Sequence, residues 1–397
     1  MEKITVDYQL TDKGLATNIQ NARIRVRWAV SAFYFFQGLC FASWASRIPD
    51  IKSALMLSDG LMGSILFALP AGQMLTMPFS GYLASKYGSK KIMHFAPPMY
   101  ALAMVSLSFA TSPVQLAFAL FFFGITGNIS NIAINTQAVA AEKMFRRPIM
   151  ASFHGSWSLA GFAGALIGLL MGILQLSPMY HFLMVAAVAI ASTVMNSNYL
   201  LADVSSKTEK KKFFTKPDVF LLSLGVIGFF AMSCEGAMFD WSGVYFKDIV
   251  GATGGWITLG YASFMVMMTS GRFIGNKVIT KFGQKKLMQI NGGLIAAGLL
   301  IAVVFPTIPT AVFGFLLVGF GVSTNIPIVF SLTGSHKTMA ASKALATVSS
   351  ISYLGFLLGP PMIGYISEAF NLRISYLLIA VFGLMISLMV SRLKVIN

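Results

Sequence analysis

The chain has 397 residues, 56% of them hydrophobic and 11% charged, with a mean hydropathy of +0.75. A soluble chain of this length carries about 25% charged residues, so an ordinary soluble domain is excluded. The net charge of +16 comes from short basic clusters set between apolar runs, which excludes a nucleic-acid surface and fits the basic bias of cytoplasmic membrane loops.

In chain order, a polar N-terminal tail is expected over 1–27, without the charge and apolar pattern of a signal peptide, so the first apolar run is expected to stay as a helix. Twelve apolar runs long enough to cross a bilayer follow, at about 28–46, 60–83, 93–111, 114–140, 150–174, 179–201, 218–246, 256–276, 287–305, 308–333, 343–367 and 373–392. A lysine-rich segment, 202–217, separates the sixth from the seventh and reads as a cytoplasmic linker, and 393–397 reads as a short cytoplasmic tail. Placing both ends in the cytoplasm leaves Arg47, Lys52, Lys247 and Arg373 as the outside basic residues, with every other Lys and Arg inside, Arg272 among them. The expected fold class is therefore an all-α membrane protein of twelve transmembrane helices in two six-helix bundles, 28–201 and 218–392.

The halves repeat each other. Phe41-Ala-Ser-Trp44 echoes Met238-Phe-Asp-Trp241 at an offset of 197, and Lys86-Tyr-Gly88-Ser-Lys90-Lys91 echoes Lys281-Phe-Gly283-Gln-Lys-Lys286 at 195. Asn131-Ile-Ala-Ile134 echoes Asn325-Ile-Pro-Ile328 at 194, and Gly161-Phe162 echoes Gly355-Phe356 at the same offset. Several matches in chain order at a near-constant offset imply a parallel repeat about an axis along the membrane normal, with a cavity between the halves.

The stretch Ser233-Cys-Glu235-Gly-Ala-Met-Phe-Asp240-Trp241 carries two carboxylates inside an apolar run. Each costs roughly 2.5–3.5 kcal/mol to insert, so each is a candidate for a proton or substrate contact. Glu235 falls near mid-depth and suits a proton carrier; Asp240 lies five residues on, about 140° round the helix, and need not share its face. A structural acid bonded to neighbouring helices is the other reading of Glu235, and an outer-gate partner that of Asp240. Arg47 is placed to pair with Asp50 or Asp240 when the outside is closed, and a plain solvated arginine is the other reading.

Asn128, Asn131 and Asn135 form one polar stripe on the fourth span, facing protein or a cavity rather than lipid. Interhelical bonding and substrate contact are both open to it. Asn325, ahead of Pro327, is the matching position in the tenth. Tyr34, Gln37, Gln73, Trp157, Trp241 and Tyr353 complete the expected lining, with His154 read as structural. Amides and ring faces together suit a neutral, hydroxyl-rich solute such as a sugar. Cys40 and Cys234 lie in apolar runs and read as small buried hydrophobes. No catalytic, metal or cofactor motif is present, so neither an enzyme nor a bound cofactor is expected.

The loop Gly81-Tyr-Leu-Ala-Ser85-Lys86-Tyr-Gly88-Ser-Lys90-Lys91 resembles the Gly-x-Leu-Ala-Asp-Arg-x-Gly-Arg-Arg loop of the major facilitator superfamily. Trp44 to Lys52 and Glu235 to Ser242 are similar to its YbjJ-like branch of bacterial inner-membrane transporters. The resemblance implies an inner-membrane secondary transporter working by alternating access as a monomer on a small-molecule substrate, with the basic loop as a conformational latch. Ser85 replaces the usual Asp, which puts the strength of that latch in doubt. The fourth span lacks the family's antiporter Arg and the fifth its Gly-Pro pair, so proton-linked uptake is expected ahead of efflux of drugs or metabolites. A sensor or scaffold that has kept the fold is the reading from another class.

Overall fold

A computed structural model describes residues 2–145, 149–202, 218–334 and 341–393. Most of the expected linker 202–217 and of the tail 393–397 lies outside the described residues, as do Arg146, Arg147 and Lys337. Fourteen α-helices build the described chain. The first half holds α1 (Glu2–Ala54), α2 (Asp59–Leu66), α3 (Ala68–Tyr87), α4 (Ser89–Leu107), α5 (Pro113–Phe145), α6 (Met150–Ile173) and α7 (Pro178–Asn196). The second holds α8 (Val219–Asp248), α9 (Leu259–Phe282), α10 (Gln284–Val304), α11 (Ile308–Ser323), α12 (Asn325–Gly334), α13 (Ala341–Ala369) and α14 (Leu372–Arg392). α1 begins well inside the segment expected as a tail.

Fourteen helices make twelve spans because two spans are broken. α2 and α3 meet at Phe67, and α11 and α12 at Thr324. Each break lies three residues before a proline, Pro70 and Pro327. A proline gives no N–H to the carbonyl four residues back and crowds it, so the ladder opens there.

Both halves use one packing plan. α1 packs on α6 and α7, α5 on α3 and α4, and α4 on α7; correspondingly α8 packs on α13 and α14, α11 on α9 and α10, and α10 on α14. Contacts between the bundles are also paired, α2 with α13 and α6 with α9.

The repeat reaches single atoms. A side chain on Gly124 would overlap the Leu69 carbonyl, and one on Gly319 the Phe264 carbonyl, both positions shifted by 195. Helices can cross that closely only where no Cβ intervenes. Gly88 (φ +86°) and Gly283 (φ +76°) turn the chain between α3 and α4 and between α9 and α10, in a region open to glycine. Lys90 Nζ donates to the Asn198 carbonyl (3.2 Å) and Lys285 Nζ to the Leu393 carbonyl (2.9 Å), again shifted by 195. Each basic loop thus places a cation at the carbonyl end of its bundle's last helix, where backbone partial charge is negative.

Candidate substrate cavity and its ion pair

A cavity of about 430 Å³ lies between the bundles. α1 contributes Tyr34, Gln37 and Phe41, α3 Gln73, α5 Asn131, and α6 His154 and Trp157. From the second bundle come Glu235, Phe239 and Asp240 of α8, Arg272 of α9, and Tyr353 and Phe356 of α13. Glu235 and Asp240 both reach it, although their helical positions differ by about 140°, because they stand about 7.5 Å apart along α8 at different depths.

Glu235 is 6% exposed and is bound to Arg272, with Oε1 accepting from Nη2 at 2.8 Å. Arg272 also donates from Nη1 to Ser158 Oγ (3.2 Å), and Thr269 Oγ1 donates to the Ser158 carbonyl (3.1 Å). Its guanidinium lies 6.0 Å from the Trp157 ring centre. Ser158 and Trp157 belong to α6, so this one arginine joins a carboxylate of the second bundle to a polar and an aromatic group of the first. Arg272, counted from the sequence among the inside basic residues, lies within α9 with its charge offset by Glu235 rather than serving as a loop cation.

The polar stripe of α5 divides. Asn128 is buried and accepts from Ser80 Oγ of α3 (2.7 Å), away from the cavity wall. Asn135 donates to Asn131 Oδ1 (2.8 Å) and accepts from the Tyr34 hydroxyl (2.7 Å), which orients both residues beside the cavity. Gln37 donates to the Gly127 carbonyl (3.3 Å) and accepts from Ser130 Oγ (3.2 Å). Gln73 accepts from the Tyr353 hydroxyl across the bundle interface. Asn325 is fully buried, accepts from Asn291 Nδ2 of α10 (2.9 Å) and donates to the Gly321 carbonyl (3.0 Å). Trp241 is fully buried, as is its counterpart Trp44, and neither lines the cavity. Arg272, His154 and the rings Phe41, Phe239 and Phe356 join the wall without having been expected there; the echo of Phe41 and Gly355-Phe356 in the repeat was the available signal for the rings.

The bundles are also tied at one end. Lys52 Nζ bridges Asp59 (2.8 Å) and Asp248 (3.0 Å). Glu368 accepts from Ser58 Oγ (2.8 Å) and from the Gly60 amide (2.6 Å), closing the N-terminus of α2 from the other bundle. Ser64 pairs with Tyr365 (2.7 Å), Ser367 with Asp59, and Lys247 with Ser53. Arg47 pairs with Asp50 (3.0 Å) and donates to the Leu176 carbonyl. Burial opposes the charge of Lys52, but Asp59 and Asp248 outweigh it, so this ammonium beyond the first span holds its proton more tightly than a free lysine. At the opposite end, Ser85 is exposed, Lys86 lies over the Tyr82 and Tyr87 rings (5.4 and 5.3 Å), Lys91 is exposed, and Gly81 has open space beside it.

Two pseudo-symmetric helical bundles around a cavity of mixed apolar and polar lining within a membrane-spanning chain define a solute carrier. The Major Facilitator Superfamily model matches residues 30–342, and the chain belongs to that family of secondary transporters. An uncharacterised MFS-type transporter of Yersinia pestis is 32% identical over 344 residues, covering 86% of this chain and 89% of that one. The membrane protein MosC of Rhizobium meliloti is 30% identical over 359 residues, covering 90% and 88%. Among solved structures, a variant of the nucleoside transporter NupG superposes with a TM-score of 0.76 at 14% identity, covering 92% of this chain and 99% of that one. A bacterial homologue of the lysosomal transporter Spinster, inward-facing and occupied, gives 0.74 at 14% identity, covering 92% and 95%. These distant structures share the fold.

Proposed function

We propose that the protein carries a small hydroxyl-bearing solute across the bacterial inner membrane by proton-coupled symport, with both termini cytoplasmic. In that orientation the tied end faces outward. The observation that carries this reading is the Glu235–Arg272 pair, which lies in the cavity wall and is bonded to the opposite bundle through Ser158.

A proton on Glu235 cancels the ionic attraction to Arg272. Arg272 then keeps its hold on Ser158 and Trp157 alone, and the contact between α6 and α9 changes strength with proton occupancy. Substrate and proton thereby act on the same interface, which is what coupling requires. The polar groups of an otherwise apolar lining favour a solute with several hydroxyls: Gln37, Gln73, Asn131 and Tyr353 offer donors and acceptors, and Phe41, Phe239 and Phe356 offer flat faces for apolar ring edges. A broad drug-efflux cavity would be dominated by Phe and Met.

The test is proton entry into proteoliposomes carrying a pH-sensitive dye, with a sugar panel on the outside. A sugar-dependent proton signal lost in Glu235→Gln is expected. Sugar uptake that persists in the variant, with no proton movement in either protein, overturns proton coupling through Glu235.

A further inference from the structure

The cavity wall holds three formally charged side chains among the described residues, Glu235, Asp240 and Arg272. Glu235 and Arg272 neutralise each other at 2.8 Å. Asp240 forms no hydrogen bond or ion pair within the described residues. A carboxylate kept in a largely apolar site without a partner is costly, so its place in the wall calls for a cationic or donor group.

Nearby protein donors do not supply one. The Tyr261 and Tyr376 hydroxyls, close enough to interact electrostatically with Asp240, are buried without hydrogen-bond partners. The rings around the site suit a cation. Phe239, next to Asp240 in sequence, meets Phe41 edge-on at 5.3 Å and Phe356 in a stack at 6.3 Å, with Trp157 edge-on at 6.5 Å. Aromatic faces attract ammonium groups, and this wall already seats one cation over a ring, Arg272 over Trp157 at 6.0 Å.

We propose that Asp240 recognises a protonated amine on the transported solute, which makes the substrate class an amine-bearing polyol. This rests on the cavity being the transport site, as argued above. The amine settles against Asp240 and the Phe239 cluster, and the hydroxyls meet Gln37, Gln73 and Asn131. The two carboxylates divide the work: Glu235 answers to the proton through Arg272, and Asp240 answers to the solute. A cavity of about 430 Å³ holds a single small ring.

The experiment uses the full chain in detergent, at neutral pH, with glucosamine, N-acetylglucosamine and glucose as matched probes for thermal stabilisation and calorimetric binding. Glucosamine is expected to stabilise the wild type more than either neutral sugar. Asp240→Asn is expected to weaken glucosamine by ~10–100-fold and to abolish the preference, as loss of a charged hydrogen-bond partner does. Asp240→Glu, which keeps the charge, retains the preference and shows that the fold survives substitution. Neutral sugars matching glucosamine, an Asn variant that keeps the preference, or no shift with any probe overturns the assignment. Glu235→Gln separates the two proposals. Amine-selective binding without proton movement leaves Asp240's role and removes the coupling. Proton-coupled glucose uptake without amine preference does the reverse.

Discussion

Glu235 and Arg272 are bound so that neither can be removed alone without leaving a charge in a poorly solvated wall, which costs about 3–5 kcal/mol in comparable buried pairs. Arg272→Met is therefore expected to lower the unfolding midpoint in detergent by the equivalent of about 3 kcal/mol, and Glu235→Leu added to it should restore much of the loss. Additive effects in that double-mutant cycle would show that the two side chains do not depend on each other. Glu235 was legible in the sequence because a carboxylate interrupts an apolar run. Its partner was not, since an arginine five residues before Lys277 at the end of a span reads as an interfacial anchor until the packing of α9 on α6 is known. The asparagines show the same limit. Sequence marks Asn131 and Asn325 as equivalent amides, but only the fold shows that Asn291 occupies Asn325 while Asn131 stays at the cavity. Asn325→Ala should therefore cost about 1 kcal/mol of stability, because it removes one acceptor of Asn291 Nδ2 and leaves that amide with Thr324 Oγ1 (2.8 Å), with binding by the folded fraction unchanged. Asn131→Ala should weaken solute binding and leave the unfolding midpoint nearly in place. Thermal unfolding and calorimetry on both variants check this, and swapped outcomes would reverse the two assignments.

Between helices, the duplication acts through close backbone approach. Gly124 against Leu69 and Gly319 against Phe264 set the spacing of α5 on α3 and of α11 on α9. Gly124→Ala and Gly319→Ala each put a methyl where a carbonyl oxygen stands, and each is expected to destabilise by about 1–3 kcal/mol, as overpacking does. Equal losses in the two unfolding curves would confirm that the halves use these crossings alike; a tolerated alanine in either would show that helix pair to be loosely packed. The turn glycines and loop lysines of this repeat were legible, because Lys-x-Gly-x-Lys-Lys is an uncommon pattern found twice. The crossing glycines were not, since each is one among 36 glycines and its neighbour comes from another helix. The span breaks at Phe67 and Thr324 follow from Pro70 and Pro327, visible in the sequence as residues but not as broken ladders.

At the scale of the whole molecule, the two bundles are held at the Lys52 end by several bonds that are each weak. An exposed ion pair contributes about 0.2–1 kcal/mol, and Asp248 in the Lys52 pair is 38% exposed. Glu368 adds a charge-assisted cap on α2 of the opposite bundle, which is stronger than a neutral bond. A latch built of small terms can hold one state and still release when proton or solute changes the balance inside the cavity, since 1.4 kcal/mol moves an equilibrium tenfold. Lys52→Gln with Glu368→Gln should remove enough of it to raise the open population at that end several-fold. A cysteine at Met56, 90% exposed beside the latch, would serve as the reference label, and one at Ile48, fully buried behind it, as the reporter. With a membrane-impermeant maleimide applied to intact cells, Ile48→Cys is expected to react faster in the latch variant, while Met56→Cys reacts at one rate in both. An unchanged Ile48→Cys rate would mean that these bonds do not hold the end closed. Reaction of Met56→Cys only after the cells are opened would place this end in the cytoplasm and reverse the proposed orientation.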